Sequence, residues 1–201
     1  TRVNKEGLIE TVAIDTPRLD YPLIDGVVQS EPALLLEPSR TNLLLNSVSL
    51  ESGWLVGGTD VPSFTASQFI SPDGTQNASR LQFPSTSTIS IFQQLFSHTN
   101  GQQYTISAYV KSNLSSNQQF KLFGDYGTPS GISSILTATS EWQRFTFTYT
   151  ATGTGSRSAG FYYIPNTTSD LQVFGIQIEA GSYATSYIPT SGSSVTRSAE
   201  T

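Results

Sequence analysis

Residues 104–112, YTISAYVKS, place Tyr104, Ile106, Ala108 and Val110 on one side of an extended chain and Thr105, Ser107, Tyr109 and Lys111 on the other. Residues 144–150, RFTFTYT, repeat the pattern, with Phe145, Phe147 and Tyr149 alternating with Arg144, Thr146, Thr148 and Thr150. A period of two with one apolar side describes an antiparallel strand that buries one face and wets the other. Further candidates are SFTASQF (63–69), SRLQF (79–83), ISIFQQLF (89–96), QFKLFGDY (119–126), GISSILTA (131–138), AGFYYIP (159–165) and LQVFGIQIEAG (171–181). SPDGTQN (71–77), HTNGQQ (98–103), SNLSSN (112–117) and TGTGS (152–156) separate them. Asp-Gly and Asn-Gly supply the positive-φ positions that tight turns demand. About ten strands with regular turn signals predict an all-β sandwich. The absence of a fixed-period repeat argues against a propeller or solenoid.

Ahead of these strands stands LLLEPSRTNLLLNS, residues 34–47. Pro38 excludes a helix, because it lacks the backbone donor and its ring clashes with the preceding turn. The stretch reads as a strand at Leu34–Leu36 buried on both faces, a polar corner, and a second buried segment. Glu37 and Arg40 are placed to pair across that corner, and Asn42 to hydrogen-bond the turn's own backbone. A ligand or metal role for Glu37 is the alternative.

Residues 1–33 carry Pro17, Pro22 and Pro32, which punctuate short apolar pairs and predict an extended arm. Val3, Leu8, Ile9, Val12 and Ile14 are too apolar for a solvated linker, so the arm must bury them on its own domain or on a neighbouring subunit. The expected organisation is an arm over 1–33, a sandwich over 34–190 and a tail over 191–201.

Composition narrows the function. A net charge of −5 with ten scattered basic residues speaks against nucleic acid. Without cysteine there is no disulfide scaffold or thiol nucleophile. No apolar run approaches the roughly 20 residues of a membrane helix, so no membrane insertion is expected. The absence of methionine points to a piece of a longer or processed polypeptide.

Several segments occur in a characteristic order: LLLEPSRTNLLLNS, SGWLV (52–56), DGTQNASRL (73–81), YTISAYVKS, EWQRFTFTYT (141–150) and GIQIEAGSYATSYIPTSGSSVTRSA (175–199). Together they resemble the carbohydrate-binding-module-like jelly-roll domains of bacteriophage virion proteins, including tail fibres, receptor-binding proteins and head fibres. The opening TRVNKEGLIETVAIDTPRLDY (1–21) looks like the segment that commonly precedes such a domain. The resemblance spans nearly the whole chain. It implies a jelly roll on a viral particle, located in the virion and partnered by other virion subunits in a homo-oligomer. Fibre symmetry favours a homotrimer. It identifies no ligand, and host cell-surface polysaccharide is the candidate partner.

Catalysis is not expected. His98, the one histidine, lies in SHTNG (97–101) and reads as a solvated turn residue. GTPSG (127–131) is not the nucleophile elbow of serine hydrolases. A glycosidase would need two opposed carboxylates, for which Asp125, Glu141 and Glu179 are the strand candidates. A polysaccharide depolymerase or lyase is therefore the alternative reading, and a purely architectural virion protein the third. No cofactor is expected. Structural calcium is left open, since sandwich loops can bind it but none here carries a dense acidic motif. NAS at 77, NLS at 113 and NTT at 166 match the glycosylation pattern by composition alone.

Non-catalytic sugar binding uses aromatic faces together with amides and charged groups. Trp54 and Trp142 each open a strand, where a large ring plugs the end of a sandwich. Tyr109, Lys111, Asp125 and Tyr162 point away from the presumed core faces. If their strands adjoin, these four would line one sheet as the carbohydrate-binding site.

Overall fold

The side chains that alternate inward along 104–110 and 145–149 meet, in the computed structural model, a second set from an opposing sheet. The structure describes residues 1–13, 16–24 and 27–200. Ten strands build the sandwich. They are β1 Leu55–Gly58, β2 Ser63–Phe69, β3 Ala78–Phe83, β4 Ser90–His98, β5 Gln103–Ser112, β6 Gln118–Phe123, β7 Leu136–Ala138, β8 Gln143–Thr150, β9 Gly155–Tyr162 and β10 Ser169–Ala180. The first sheet runs β8-β5-β10-β3-β2 and the second β7-β6-β9-β4-β1. Every pairing in them is antiparallel. From β3 to β6 and from β7 to β10 the chain alternates between layers, which makes the fold a jelly-roll β-sandwich.

The expected inward sets form the core. Ile106, Val110, Leu81, Leu171 and Val173 face Phe92, Phe120, Leu122 and Phe161 in one buried cluster. Trp54 and Phe64 both stack on Phe92, with ring centroids 4.9 and 4.6 Å away. Trp54 thus packs into the core at the start of β1. Burying a ring such as Phe92 contributes about 1.5–3 kcal/mol.

One residue lets β10 keep both ends facing inward. Opposite β5, Ser107 pairs with Gln177 and Tyr109 with Phe174, so β10 holds one extra residue between these pairs. Gly175 lies in that interval with φ +60°, in the left-handed region. Leu171 and Val173 face the core before the bulge, and Ile176 and Ile178 after it.

The leucine run departs from its expected role. Ala33–Leu34 pairs with Leu19–Asp20 as a short ribbon outside both sheets, and Leu34 and Leu36 are 54% and 67% exposed. Glu37, which follows it, is held by two arginines where arm and C-terminal segment meet. Glu37 does not pair with Arg40. Arg18 of the arm donates to Glu37 Oε2 at 2.8 Å, and Arg197 ion-pairs with the same oxygen at 3.1 Å. Arg18 also binds Glu200, and Ser186 donates to Glu37 through its amide at 2.7 Å and its hydroxyl at 2.6 Å. Arg40 lies instead 3.9 Å from Glu179 and over the Tyr183 ring. Asn42 behaves as expected and does more. Its Oδ1 accepts from Leu44 N at 3.2 Å and from Ile178 N at 3.3 Å, while its Nδ2 donates to Ile188 O at 2.9 Å.

The arm buries Ile9 on its own sandwich, in a second cluster with Ala78, Tyr109, Phe174 and Tyr187 on the outer face of the first sheet. Ile14, also expected to be buried, lies outside the described residues. Within 191–201, Val195–Arg197 pair antiparallel with Arg40–Asn42.

Candidate functional site

The arm covers part of the first sheet's outer face and leaves the rest open. Antiparallel partners point to the same side of a sheet, so the register defines what stands there. Lys111 on β5 pairs with Gln172 on β10, Gln172 with Arg80 on β3, and Arg80 with Thr65 on β2. Two residues along, Asp170 pairs with Gln82 and Gln82 with Ser63, while Asn113 N donates to Asp170 O. The result is two rows of four polar side chains, Lys111–Gln172–Arg80–Thr65 and Asn113–Asp170–Gln82–Ser63. Adjacent strands lie about 4.8 Å apart, close to the length of one pyranose ring.

These groups order one another. Arg80 holds Asp170 with two bonds, Nε to Oδ1 at 3.0 Å and Nη2 to Oδ2 at 2.6 Å. Gln82 donates to the same Oδ2 at 3.3 Å and accepts from the Ser63 hydroxyl at 3.1 Å. Gln172 donates to Asn113 Oδ1 at 3.1 Å. Burial raises the Asp170 pKa, but Arg80, Asn113 and Gln82 outweigh it and hold the carboxyl below its ordinary range. At the end of the second row opens a cleft of about 420 Å³, with Ser63, Gln82 and Asp170 in its lining and the exposed Val61 and Leu114 at its sides. Trp142, one residue beyond the Val110–Gln143 pair, is half-buried against the cluster beneath the arm.

The four expected sugar-binding residues do not line one sheet. Lys111 stands in the first row of the polar face. Tyr109 is on the same face but only 8% exposed, because Ile9 and Tyr187 cover it and Phe174 packs beside it. Asp125 is 1% exposed; it ion-pairs with Arg157 at 3.2 Å and accepts from the Thr152 hydroxyl at 3.4 Å. Tyr162 belongs to the second sheet, paired with Ile91 and Lys121 on that sheet's outer face and near Tyr126, 6.2 Å between centroids. Tyr109 and Asp125 are thus buried structural groups, and Tyr162 lies on the opposite side of the sandwich from Lys111.

His98 also departs from expectation. It is 2% exposed at the end of β4, beside Phe96 and Tyr104, with neither ring nitrogen hydrogen-bonded to any described residue. Of the other strand carboxylates, Glu179 is fully buried. It accepts from Thr185 N and Thr185 Oγ1 at 2.7 Å each and from Gln177 at 3.0 Å. Glu141 is exposed. Among the described residues no three His, Cys, Asp or Glu side chains gather in a metal-binding group.

Sequence reasoning missed Arg80, Gln82, Asp170 and Gln172. The signal was present in SRLQF (79–83) and DLQVF (170–174), where these polar side chains alternate with Leu81, Phe83, Leu171 and Val173. Strand order, which makes them neighbours, was not.

No family model and no curated protein sequence matches the chain. Solved structures do. The carbohydrate-binding and catalytic modules (CBM22-1–GH10) of endo-1,4-β-D-xylanase 10B from Clostridium thermocellum, solved with xylohexaose, are 20% identical over 72% of this chain, with a TM-score of 0.50. The CBM22-1 xylan-binding domain of Paenibacillus barcinonensis Xyn10C is 14% identical over 72% of this chain and 94% of its own, with a TM-score of 0.46. The enzymatically active domain of tailspike protein 4 from bacteriophage CBA120 is 13% identical over 68% of this chain, with a TM-score of 0.45. This chain spans 28% of the xylanase structure and 21% of the tailspike domain. The likeness is one of fold: the protein has the jelly-roll sandwich of carbohydrate-binding modules.

Proposed function

We propose that this chain is a non-catalytic glycan-binding module of a bacteriophage particle, displayed on a tail fibre, receptor-binding protein or capsid. The observation that carries the binding reading is the double row of polar side chains on the open face of the first sheet. Amides and a paired guanidinium–carboxylate, spaced at strand intervals, match the repeating hydroxyls of a sugar chain. Their mutual hydrogen bonds hold them in place before a ligand arrives, which lowers the ordering cost of binding. The adjacent cleft and the half-buried Trp142 offer apolar surface for sugar C–H groups.

The non-catalytic part is supported by the fate of the strand carboxylates. Asp125 is ion-paired in the interior and Glu179 is hydrogen-bonded there, so neither faces Glu141 across an open cleft. The viral part rests on the sequence resemblance, and a homotrimer on fibre symmetry.

A glycan array probed with the full chain and with Arg80→Ala tests the binding reading. Retention of at least one polysaccharide by the natural chain and its loss in the variant is the expected result. Retention that survives Arg80→Ala would displace the site, and no retention would remove the reading. Sedimentation tests the assembly, since a strict monomer at high concentration excludes the trimer. Release of reducing ends from host capsule would favour the depolymerase instead.

A further inference from the structure

Among the described residues, every lysine and arginine side chain but three lies within 4.0 Å of a carboxylate. The exceptions are Lys111, Arg144 and Lys121. Lys121 is on the second sheet, whereas Lys111 and Arg144 share the outer face of the first. Arg144 pairs with Tyr109 across β8 and β5, and its guanidinium lies 5.4 Å from that ring's centroid. It also donates to the Ser107 hydroxyl at 2.9 Å. Arg144 is therefore engaged within the protein. Lys111 is not: it is half-buried, heads the first polar row, and its ammonium has no hydrogen-bond or ionic partner among the described residues.

The one carboxylate of the two rows, Asp170, is already held by both nitrogens of Arg80 that reach it. Among the described residues, the rows therefore carry one uncompensated positive charge, on a chain whose net charge is −5. An ammonium reads an anion as a point charge, and a half-buried one gains more from that contact than a freely solvated lysine. A neutral glycan would satisfy the amides and leave this charge unanswered.

We propose that the face selects an acidic glycan, with a uronate carboxylate seated on Lys111 and neighbouring hydroxyls on Gln172, Arg80 and Gln82. This rests on the glycan-binding reading above and deepens it to a substrate class. The test uses the full chain in affinity electrophoresis against polygalacturonate, alginate and hyaluronan. Each is run beside its carboxyl-reduced neutral form, with xylan and mixed-linkage glucan as neutral references. The expected result is retention by at least one polyuronate, weakened tenfold or more by carboxyl reduction and by Lys111→Gln, and largely kept by Lys111→Arg. An unchanged melting temperature in Lys111→Gln shows that the fold is intact. Equal retention by acidic and neutral forms, indifferent to Lys111→Gln, overturns the acidic specificity and leaves the glycan reading standing. Retention by no polysaccharide overturns both.

Discussion

Arg18 and Glu37, nineteen positions apart, meet at 2.8 Å in a junction that ties the N-terminal arm to the polar corner of LLLEPSRTNLLLNS. With Arg197 and Glu200 they make a neutral group of two positive and two negative charges, gathered from the arm, the corner and the C-terminal segment. Arg18→Ala removes the charged bonds to both Glu37 and Glu200 but leaves Glu37 with Arg197 and Ser186. It should therefore cost about 2–3 kcal/mol, and lower the melting temperature by roughly 5–10 °C in calorimetry. A loss below about 1 kcal/mol would mean that the junction contributes no more than a surface pair.

The same junction sets an acid response. Burial raises the Glu37 pKa, but Ser186, Arg18 and Arg197 outweigh it, so the folded carboxyl titrates below its ordinary value. A depressed folded pKa gives stability that is complete above the unfolded value, about 4.3, and is lost as the pH falls through the folded one. Glu37→Gln should thus be less stable than the natural chain at pH 7, with the gap narrowing below about pH 4. Urea midpoints measured at pH 7, 5 and 3 would show it, and a gap constant across that range would dismiss the linkage.

Gly175 makes the β10 bulge possible. Its φ of +60° disfavours any side chain, and a Cβ there would stand 3.2 Å from Tyr109 Cδ2. Gly175→Ala should cost about 1–2 kcal/mol from the left-handed backbone, before any shift of Tyr109. Because the bulge sets Phe174 against the arm, the variant should also speed amide exchange around Ile9. Unchanged stability would show that the bulge can slide to another residue.

His98 is a buried polar ring without a hydrogen-bond partner among the described residues, and burial, more than the opposing pull of Asp125, holds its pKa below the usual value. Such a group costs about 1–3 kcal/mol. His98→Phe should raise stability by about 1 kcal/mol near pH 7. The gain should grow as the pH drops through about 6.5, where the unfolded histidine protonates before the folded one. Thermal melts at pH 5.5 and 7.5 would show it, and a destabilised variant would reveal a polar contact that the imidazole makes.

What the sequence discloses follows from which interactions are local. Alternation along 104–112 and 144–150 is written residue by residue, so the strands and their inward faces were legible. The exposure of Leu34 and Leu36 was not, since the run's neighbours, Leu19–Asp20 beside Ala33–Leu34 and Arg18 and Arg197 on Glu37, are set by contacts distant in the chain. Tyr109 was correctly assigned away from the core, but a strand's outward face is wet only if nothing docks on it, and here Ile9 does. The polar rows were half legible. Each member alternates properly in its own strand, yet the grid exists only because β5, β10, β3 and β2 are adjacent, and no local signal encodes that order.

The two outer faces separate the site from its alternatives. Tyr162 and Lys121 belong to the second sheet, Lys111 and Arg80 to the first. If glycan binds the polar rows, Arg80→Ala should weaken it at least about tenfold, because it removes two bonds that orient Asp170 as well as a donor to the ligand. Gln82→Ala should weaken it less, since it removes one group that meets the ligand and only single bonds to Asp170 and Ser63. Tyr162→Ala should leave affinity unchanged. Since Asp170 stays ionised below the ordinary carboxylate range, affinity should be flat from about pH 5 to pH 8 and fall only in acid, as that carboxylate or one on the ligand protonates. Isothermal titration of the three variants against one retained polysaccharide decides the matter: loss in Tyr162→Ala with retention in Arg80→Ala would move the binding surface to the other side of the sandwich.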